Sequence, residues 1–267
     1  MRLIYVPRGR AAEYAPLSIS GPYVCCGHGC IYCFNLEIRG MCADEFSKSA
    51  KPKPDFLKKF EKDCAELAAA KDQREILISF STDPYQPLDY ELQLTRKAIE
   101  ILIRHGLHFT ILTKAGGPRS TRDFDLMAEH PELCRYGTTL VFDNLKDKGI
   151  WEPGAAHTPE RIEALREAKK RGIRTWVSFE PVVFPDQTIN LIRQTLGFVD
   201  EYRIGKFNHA NIPDVEEVIR KTGYRYPTDD EWRIFVQRAE ALLRHHNQKF
   251  IFKKDLQPYL QAAGVTC

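Results

Sequence analysis

Cys26, Cys30 and Cys33 are the residues of this 267-residue chain best suited to chemistry, spaced as C-x3-C-x2-C. Three thiolates this close need a soft metal or a disulfide to justify them. Structural zinc takes four ligands and an ordinary iron-sulfur cluster takes four cysteines, so three leave one metal corner open. Gly27 and Gly29 let the backbone wrap tightly around a bulky group. A closed zinc site is the alternative, with His28 or Cys25 as fourth ligand, in a non-enzymatic binding module. Zinc knots usually bring a second paired motif at a distance, and none follows here. Cys42, Cys64, Cys134 and Cys267 are scattered singly. A disulfide framework is disfavoured, because a chain of this length can bury a large core without staples.

Composition points to an ordinary globular enzyme. Hydrophobic residues make up 43% and charged residues 28%, which disfavours both disorder and membrane classes. No apolar run reaches the roughly 18 residues of a membrane span, and the first residues lack a signal-peptide core. The expected location is cytoplasmic, with no membrane partner. A net charge of +3 is too small to announce a nucleic-acid binder by field alone. Lys48, Lys51, Lys53, Lys58 and Lys59 crowd together after the cysteines and read as a solvated helix start.

These side chains need a frame, and the rest of the chain alternates β-rich runs with amphipathic helical stretches. The expected strands are about 17–23, 75–81, 108–113, 137–142, 173–179 and 201–204, with a last short one at 250–252. Helices are expected at 54–71, 92–105, 158–171, 187–196, 213–221 and 229–246. Thr158, Pro159 and Glu160 mark a capped helix start, and Gly172 its end. Six strand-helix units are too few for an eightfold barrel but suffice for an open, partial one. The fold class is therefore α/β, a partial (βα)6 TIM-like barrel. One domain over 1–267 is expected, with a barrel core at about 15–210 and a helical cover at about 211–267.

Sites in such barrels lie at the C-terminal ends of the strands. The first strand runs into the cysteine loop. The second ends in Ser79 to Pro87, a polar turn, and the third in Lys114. The fourth gives Asp143 and Asn144, the fifth Ser178 and Glu180, and the sixth Lys206, Asn208 and His209. Single Asp and Asn residues after strands read as turn formers or caps. Lys114 and Glu180 are harder to dismiss, since a charge among apolar strand residues is rarely buried without a partner.

The combination of C-G-H-G-C-I-Y-C, S-F-S-T-D-P-Y-Q-P, L-T-R, T-K and R-D resembles the spore-photoproduct-lyase-like branch of the radical S-adenosylmethionine (SAM) superfamily. The match covers about residues 15–210. It implies a barrel of the radical SAM type, an open [4Fe-4S] cluster, SAM, and an external flavodoxin- or ferredoxin-like electron donor. By the same resemblance Cys26, Cys30 and Cys33 hold the cluster and Tyr32 packs beside the adenine. Ser81, Thr82 and Asp83 stand where the SAM amino group is held, Lys114 meets its carboxylate, and Ser178 and Glu180 meet the ribose. The implied activity is reductive SAM cleavage to a 5′-deoxyadenosyl radical that abstracts hydrogen from a substrate. That chemistry belongs to the cofactor, while the protein positions and shields it.

Photoproduct repair itself, or another nucleic-acid modification, is an alternative that meets an obstacle. Aligned at Asp83, the hydrogen-donating cysteine of the lyase falls on Phe80, which cannot donate hydrogen. Cys42, Cys64, Cys134 and Cys267 are the remaining candidates for that role, with Cys64 reading as core. Tyr85, Lys206, Asn208 and His209 are the expected substrate contacts, the last three suiting an anionic or polar substrate and Tyr85 a stacked base.

Overall fold

The computed structural model describes residues 2–208 and 211–261. Seven strands form one sheet in sequential order, every neighbour parallel. They are β1 (Leu17–Ile19), β2 (Ile76–Ile78), β3 (Phe109–Thr113), β4 (Cys134–Thr139), β5 (Arg174–Val182), β6 (Glu201–Lys206) and β7 (Lys249–Phe252). Parallel neighbours demand a crossover each time, and helices supply it. Helix Phe56–Ala69 leads to β2, Leu94–Arg104 to β3, Thr158–Lys170 to β5 and Pro185–Thr195 to β6. The central strands are buried on both faces, so they read as apolar runs instead of alternating ones. The outer strands β1 and β7 do not pair with each other, which leaves the curved sheet an open, partial barrel.

Two elements differ from expectation, while the C-terminal helix and strand fall where the sequence put them. The strand expected at 137–142 lies at Cys134–Thr139. Arg135 argues against a strand there, but the structure pairs it with Glu75, just before β2, and Glu201 at the start of β6, each two strands away, which makes its burial tolerable. Leu140, Val141 and Phe142 instead leave the sheet and are buried. The first strand ends at Ile19, and Tyr23–Val24 turns aside to pair antiparallel with Lys51–Pro52. The helix expected from 229 spans Asp229–His245, packs on Pro185–Thr195, and delivers β7 to the sheet edge. The segment past 211 therefore contributes a seventh strand as well as helices.

Helix Thr158–Lys170 shows why its sequence was legible. Pro159 sits in the first turn, the Glu160 carboxylate accepts from the backbone N–H of His157 at 2.8 Å, and Gly172 takes the left-handed φ of 78° past the end. The cap residue is His157, while Thr158 spends its hydroxyl on the Phe142 carbonyl at 2.6 Å.

The open edge is bridged by the N-terminal segment. Tyr5 forms an antiparallel bridge with Ser18 of β1. The chain then runs across to the β6 and β7 ends, where Arg203 donates to the Glu13 carbonyl at 2.8 Å and Glu13 Oε2 accepts from Lys254 N at 2.9 Å.

Candidate active site

The C-terminal ends of the strands surround a cavity of about 560 Å³, a volume within the usual range for small-molecule sites. Cys26, Cys30 and Cys33 line it; Cys25, Cys42, Cys64 and Cys134 do not. A larger cleft of about 740 Å³ between Lys146 and Arg238 contains no cysteine.

The cysteine loop is clasped from several sides. Gly27 N donates to Gln86 Oε1 at 2.7 Å, Ile31 N to the Trp151 carbonyl at 3.1 Å, and Asn35 Nδ2 to the Ser81 carbonyl at 2.8 Å. His28 holds Gly154 twice, through Gly154 N to its own carbonyl at 2.8 Å and through Nδ1 to the Gly154 carbonyl at 3.1 Å. A carbonyl only accepts, so Nδ1 carries a proton. His28 Nε2 lies 3.2 Å from Asp83 Oδ2 without hydrogen-bond alignment. Gly29 adopts φ of 60°, where a side chain would be strained.

The donor set fits a cluster better than a closed zinc site. Among the described residues no three His, Cys, Asp or Glu side chains converge on a single ion. Cys25 is buried off the cavity and supplies no fourth zinc ligand there, while His28 has Nδ1 held by the Gly154 carbonyl and Nε2 facing Asp83. Burial pushes the Cys26 thiol up to about 12 and raises those of Cys30 and Cys33. Three half-buried thiols that resist ionisation alone would become thiolates if a cationic iron-sulfur core compensated them.

Lys114 stands beside this loop. Its ammonium lies 5.5 Å from the Tyr32 ring centroid and has no hydrogen-bonded partner among the described residues. Burial opposes its charge, but Cys30 and Glu152 more than offset that and raise its pKa. Tyr32 lines the cavity and donates its hydroxyl to Glu152, whose Oε2 accepts from Arg161 Nη2 at 2.5 Å. Burial pushes the Glu152 carboxyl up, and Arg161 and Lys114 outweigh it to hold it low. Glu152 and Arg161 escaped the sequence analysis, because two charges on flanking segments gave no sign of pairing beneath an aromatic.

The other expected site residues divide. Ser81, Thr82, Asp83, Ser178 and Glu180 all line the cavity, yet several are already engaged. Asp83 Oδ1 accepts from Tyr85 N at 2.8 Å and Thr113 Oγ1 at 2.6 Å, and Oδ2 from Lys114 N at 2.6 Å. Burial raises its pKa, but His28 and these donors bring it down to about 2. Three of its about four lone-pair sites are spent on tying the β2 and β3 ends together, which leaves one on Oδ2 beside His28. Thr82 gives its hydroxyl to the Ser20 carbonyl at 2.9 Å. Ser178 shares a 2.8 Å contact with the Tyr14 hydroxyl. Glu180 accepts from Arg10, Tyr14 and, at 2.6 Å, Lys253, making it the centre of a charged wall instead of a free ribose acceptor.

Among the expected substrate contacts, Tyr85 is corrected outright. It is 1% exposed, belongs to the main core and lies under Arg122, off the cavity. Lys206 lines the cavity, but its ammonium turns to the Tyr259 hydroxyl at 2.8 Å. Asn208 borders the cavity and donates to Asp255 Oδ2 at 2.8 Å. His209 lies outside the described residues. Arg10, Tyr14 and Lys253 were missed, since they come from the two ends of the chain and meet only in the folded barrel.

The same pattern appears in known proteins. A sequence model of the radical SAM superfamily matches residues 21–199. An uncharacterized protein of Acidianus two-tailed virus is 27% identical over 124 residues, 46% of this chain and 40% of that one. An uncharacterized protein of Methanocaldococcus jannaschii is 26% identical over 170 residues, 58% of this chain and 64% of its own. The alignments thus span less than two thirds of these curated relatives. In structure, spore photoproduct lyase complexed with dinucleoside spore photoproduct superposes with TM-score 0.69 at 13% identity, over 93% of this chain and 80% of that one. SuiB of Streptococcus suis bound to S-adenosylmethionine gives TM-score 0.63 at 13% identity, over 93% of this chain and 53% of that one. At such identities the likeness is one of fold, the partial TIM barrel.

The chain belongs to the radical SAM superfamily. Members of this superfamily are enzymes that use a [4Fe-4S] cluster and SAM. No helix among the described residues is long and apolar enough to cross a membrane.

Proposed function

We propose that the chain acts as one catalytic unit that cleaves SAM reductively and turns the resulting radical on a substrate held in the same cavity. The observation that carries this is the shared wall: Cys26, Cys30 and Cys33, alone among the described cysteines, line one cavity together with Lys114. Cys26, Cys30 and Cys33 would hold a [4Fe-4S] cluster at the cavity wall, and that group would supply the electron that breaks the C5′–S bond of SAM. Lys114 offers a hydrogen-bond-free cation to the SAM carboxylate. Tyr32 walls the adenine, its hydroxyl pinned to Glu152 so the ring cannot turn away. Asp83 acts indirectly, by fixing Lys114 N and facing His28.

Photoproduct repair is less well supported than another radical transformation. Phe80 lines the cavity where a hydrogen-donating thiol would be needed. Cys42 is exposed, Cys64 and Cys134 are buried in the core, and Cys267 lies outside the described residues.

The test is anaerobic reconstitution with iron and sulfide, then reduction by dithionite with SAM and chromatography for 5′-deoxyadenosine. The expected result is a brown protein that makes 5′-deoxyadenosine, with Cys26→Ala, Cys30→Ala and Cys33→Ala each abolishing both colour and product. Cys42→Ser should retain both. A colourless wild-type protein that leaves SAM intact would overturn the proposal.

A further inference from the structure

Both arms of the cysteine loop end in positive charge outside the cavity. Ahead of the loop, Val24 pairs with Lys51 two residues before Cys26. Behind it, helix Phe34–Arg39 starts directly after Cys33 and ends in Arg39. Lys53 is tied to the leading arm, donating to the carbonyls of Gly21 at 2.7 Å and Ser20 at 3.3 Å. Burial, and after it the nearby Arg39, lowers its pKa to about 8. Lys58, in the first turn of the helix that follows, adds a fourth charge.

Two of the five clustered lysines behave as the solvated helix start expected from sequence. Lys48 pairs with Asp44 and Lys59 with Asp55, each one helical turn away. The remaining cations, Arg39, Lys51, Lys53 and Lys58, make no ion pair among the described residues. Beside Arg39, Ile38 is 72% exposed, the most open large apolar side chain among the described residues. None of these residues lines the cavity. An exposed apolar side chain among unpaired like charges suits a small, electrostatically steered interface, the type made in transient redox encounters.

We propose that Arg39, Lys51, Lys53 and Lys58, with Ile38, form the docking face for an acidic one-electron carrier protein. This rests on the proposed function, which needs an electron delivered to the cysteine loop while SAM and substrate fill the cavity. A carrier on this face reaches the loop from outside. For a flavin carrier, the hydroquinone anion becomes the neutral semiquinone, releases one electron and no proton, and the oxidised cluster takes up that electron.

The experiment compares the reconstituted wild type with Arg39→Glu/Lys51→Glu/Lys58→Glu and with a control reversal at exposed Lys97, Lys146 and Lys170. The first triple spares Lys53, whose hydrogen bonds hold the loop. The probe is a flavodoxin of net negative charge. Its Kd is measured against salt by calorimetry, and its hydroquinone serves as reductant for the cluster, followed by electron paramagnetic resonance. The expected result is that the first triple weakens binding and slows reduction at least about tenfold at low salt and flattens the salt dependence. The control reversal and dithionite-driven reduction should be unchanged. The proposal is overturned if flavodoxin binding and reduction stay within twofold of wild type. It is equally overturned if the triple loses affinity for a single-stranded oligonucleotide but not for flavodoxin. Iron and sulfide content with dithionite-driven 5′-deoxyadenosine separates these results from failure of the catalytic reading itself.

Discussion

Lys114→Met removes a charge while keeping most of the side chain's length and apolar stem. The ammonium has no hydrogen-bonded partner among the described residues, so the change breaks no hydrogen bond of the fold and removes only a charge beside Tyr32, Glu152 and Cys30. A carboxylate about 4 Å away would attract it by roughly 4 kcal/mol at an effective dielectric of 20. Desolvation takes back part of that, and charge-assisted hydrogen bonds net about 1.5–3 kcal/mol. SAM affinity should therefore fall about 10- to 150-fold. The assay is calorimetric titration of SAM into the anaerobically reconstituted variant, at matched iron and sulfide content. Matching matters because Lys114 also counters the charge of Cys30. Lys114→Arg should recover part of the loss, since it restores charge with a different shape. A Kd for SAM within threefold of wild type, with the cluster intact, would refute Lys114 as the carboxylate partner.

Two further predictions concern the frame. A Cβ on Gly154 would lie 2.6 Å from the Gly27 carbonyl oxygen and 2.8 Å from that of His28, so Gly154→Ala must displace the cysteine loop; iron incorporation should fall sharply, whereas Gly149→Ala, with open space around it, should load normally. Glu201 joins Arg203, Arg135 and Lys249. Burial pushes its carboxyl up, but Lys249 and Arg203 bring it down to about 2. A depressed carboxylate stabilises the fold above its unfolded pKa and loses that contribution as pH falls through the folded value. Glu201→Gln should thus cost about 2–3 kcal/mol at pH 7 by urea unfolding, with the difference shrinking as pH drops from 4 towards 2; a constant difference across that range would count against the ion-pair account.

Local signals made the frame readable. The helix at Thr158–Lys170 carries its proline, acidic cap partner and terminal glycine in one short window, so its start was placed to the residue. β4 was misplaced by three residues because Arg135 looks foreign to a buried strand until Glu75 and Glu201, far off in sequence, are brought beside it. The site divides in the same way. Lys114 was found because a lone charge ends an apolar strand, whereas Tyr85 lies in an equally polar turn and only packing sends it inward.

What the chain determines by itself is the cysteine spacing and the alternation of strand and helix, because ligand geometry and periodicity operate over a few residues. The tertiary structure alone decides which polar groups remain free at the cavity. Asp83 Oδ1 is filled by Tyr85 and Thr113, and Oδ2 is half taken by Lys114 N. Glu180 is claimed by Arg10 and Lys253, which stand at opposite ends of the chain. Whether a carboxylate can meet a ligand depends on who has already taken its lone pairs, and those donors arrive through long-range closure of the barrel, which no local pattern records.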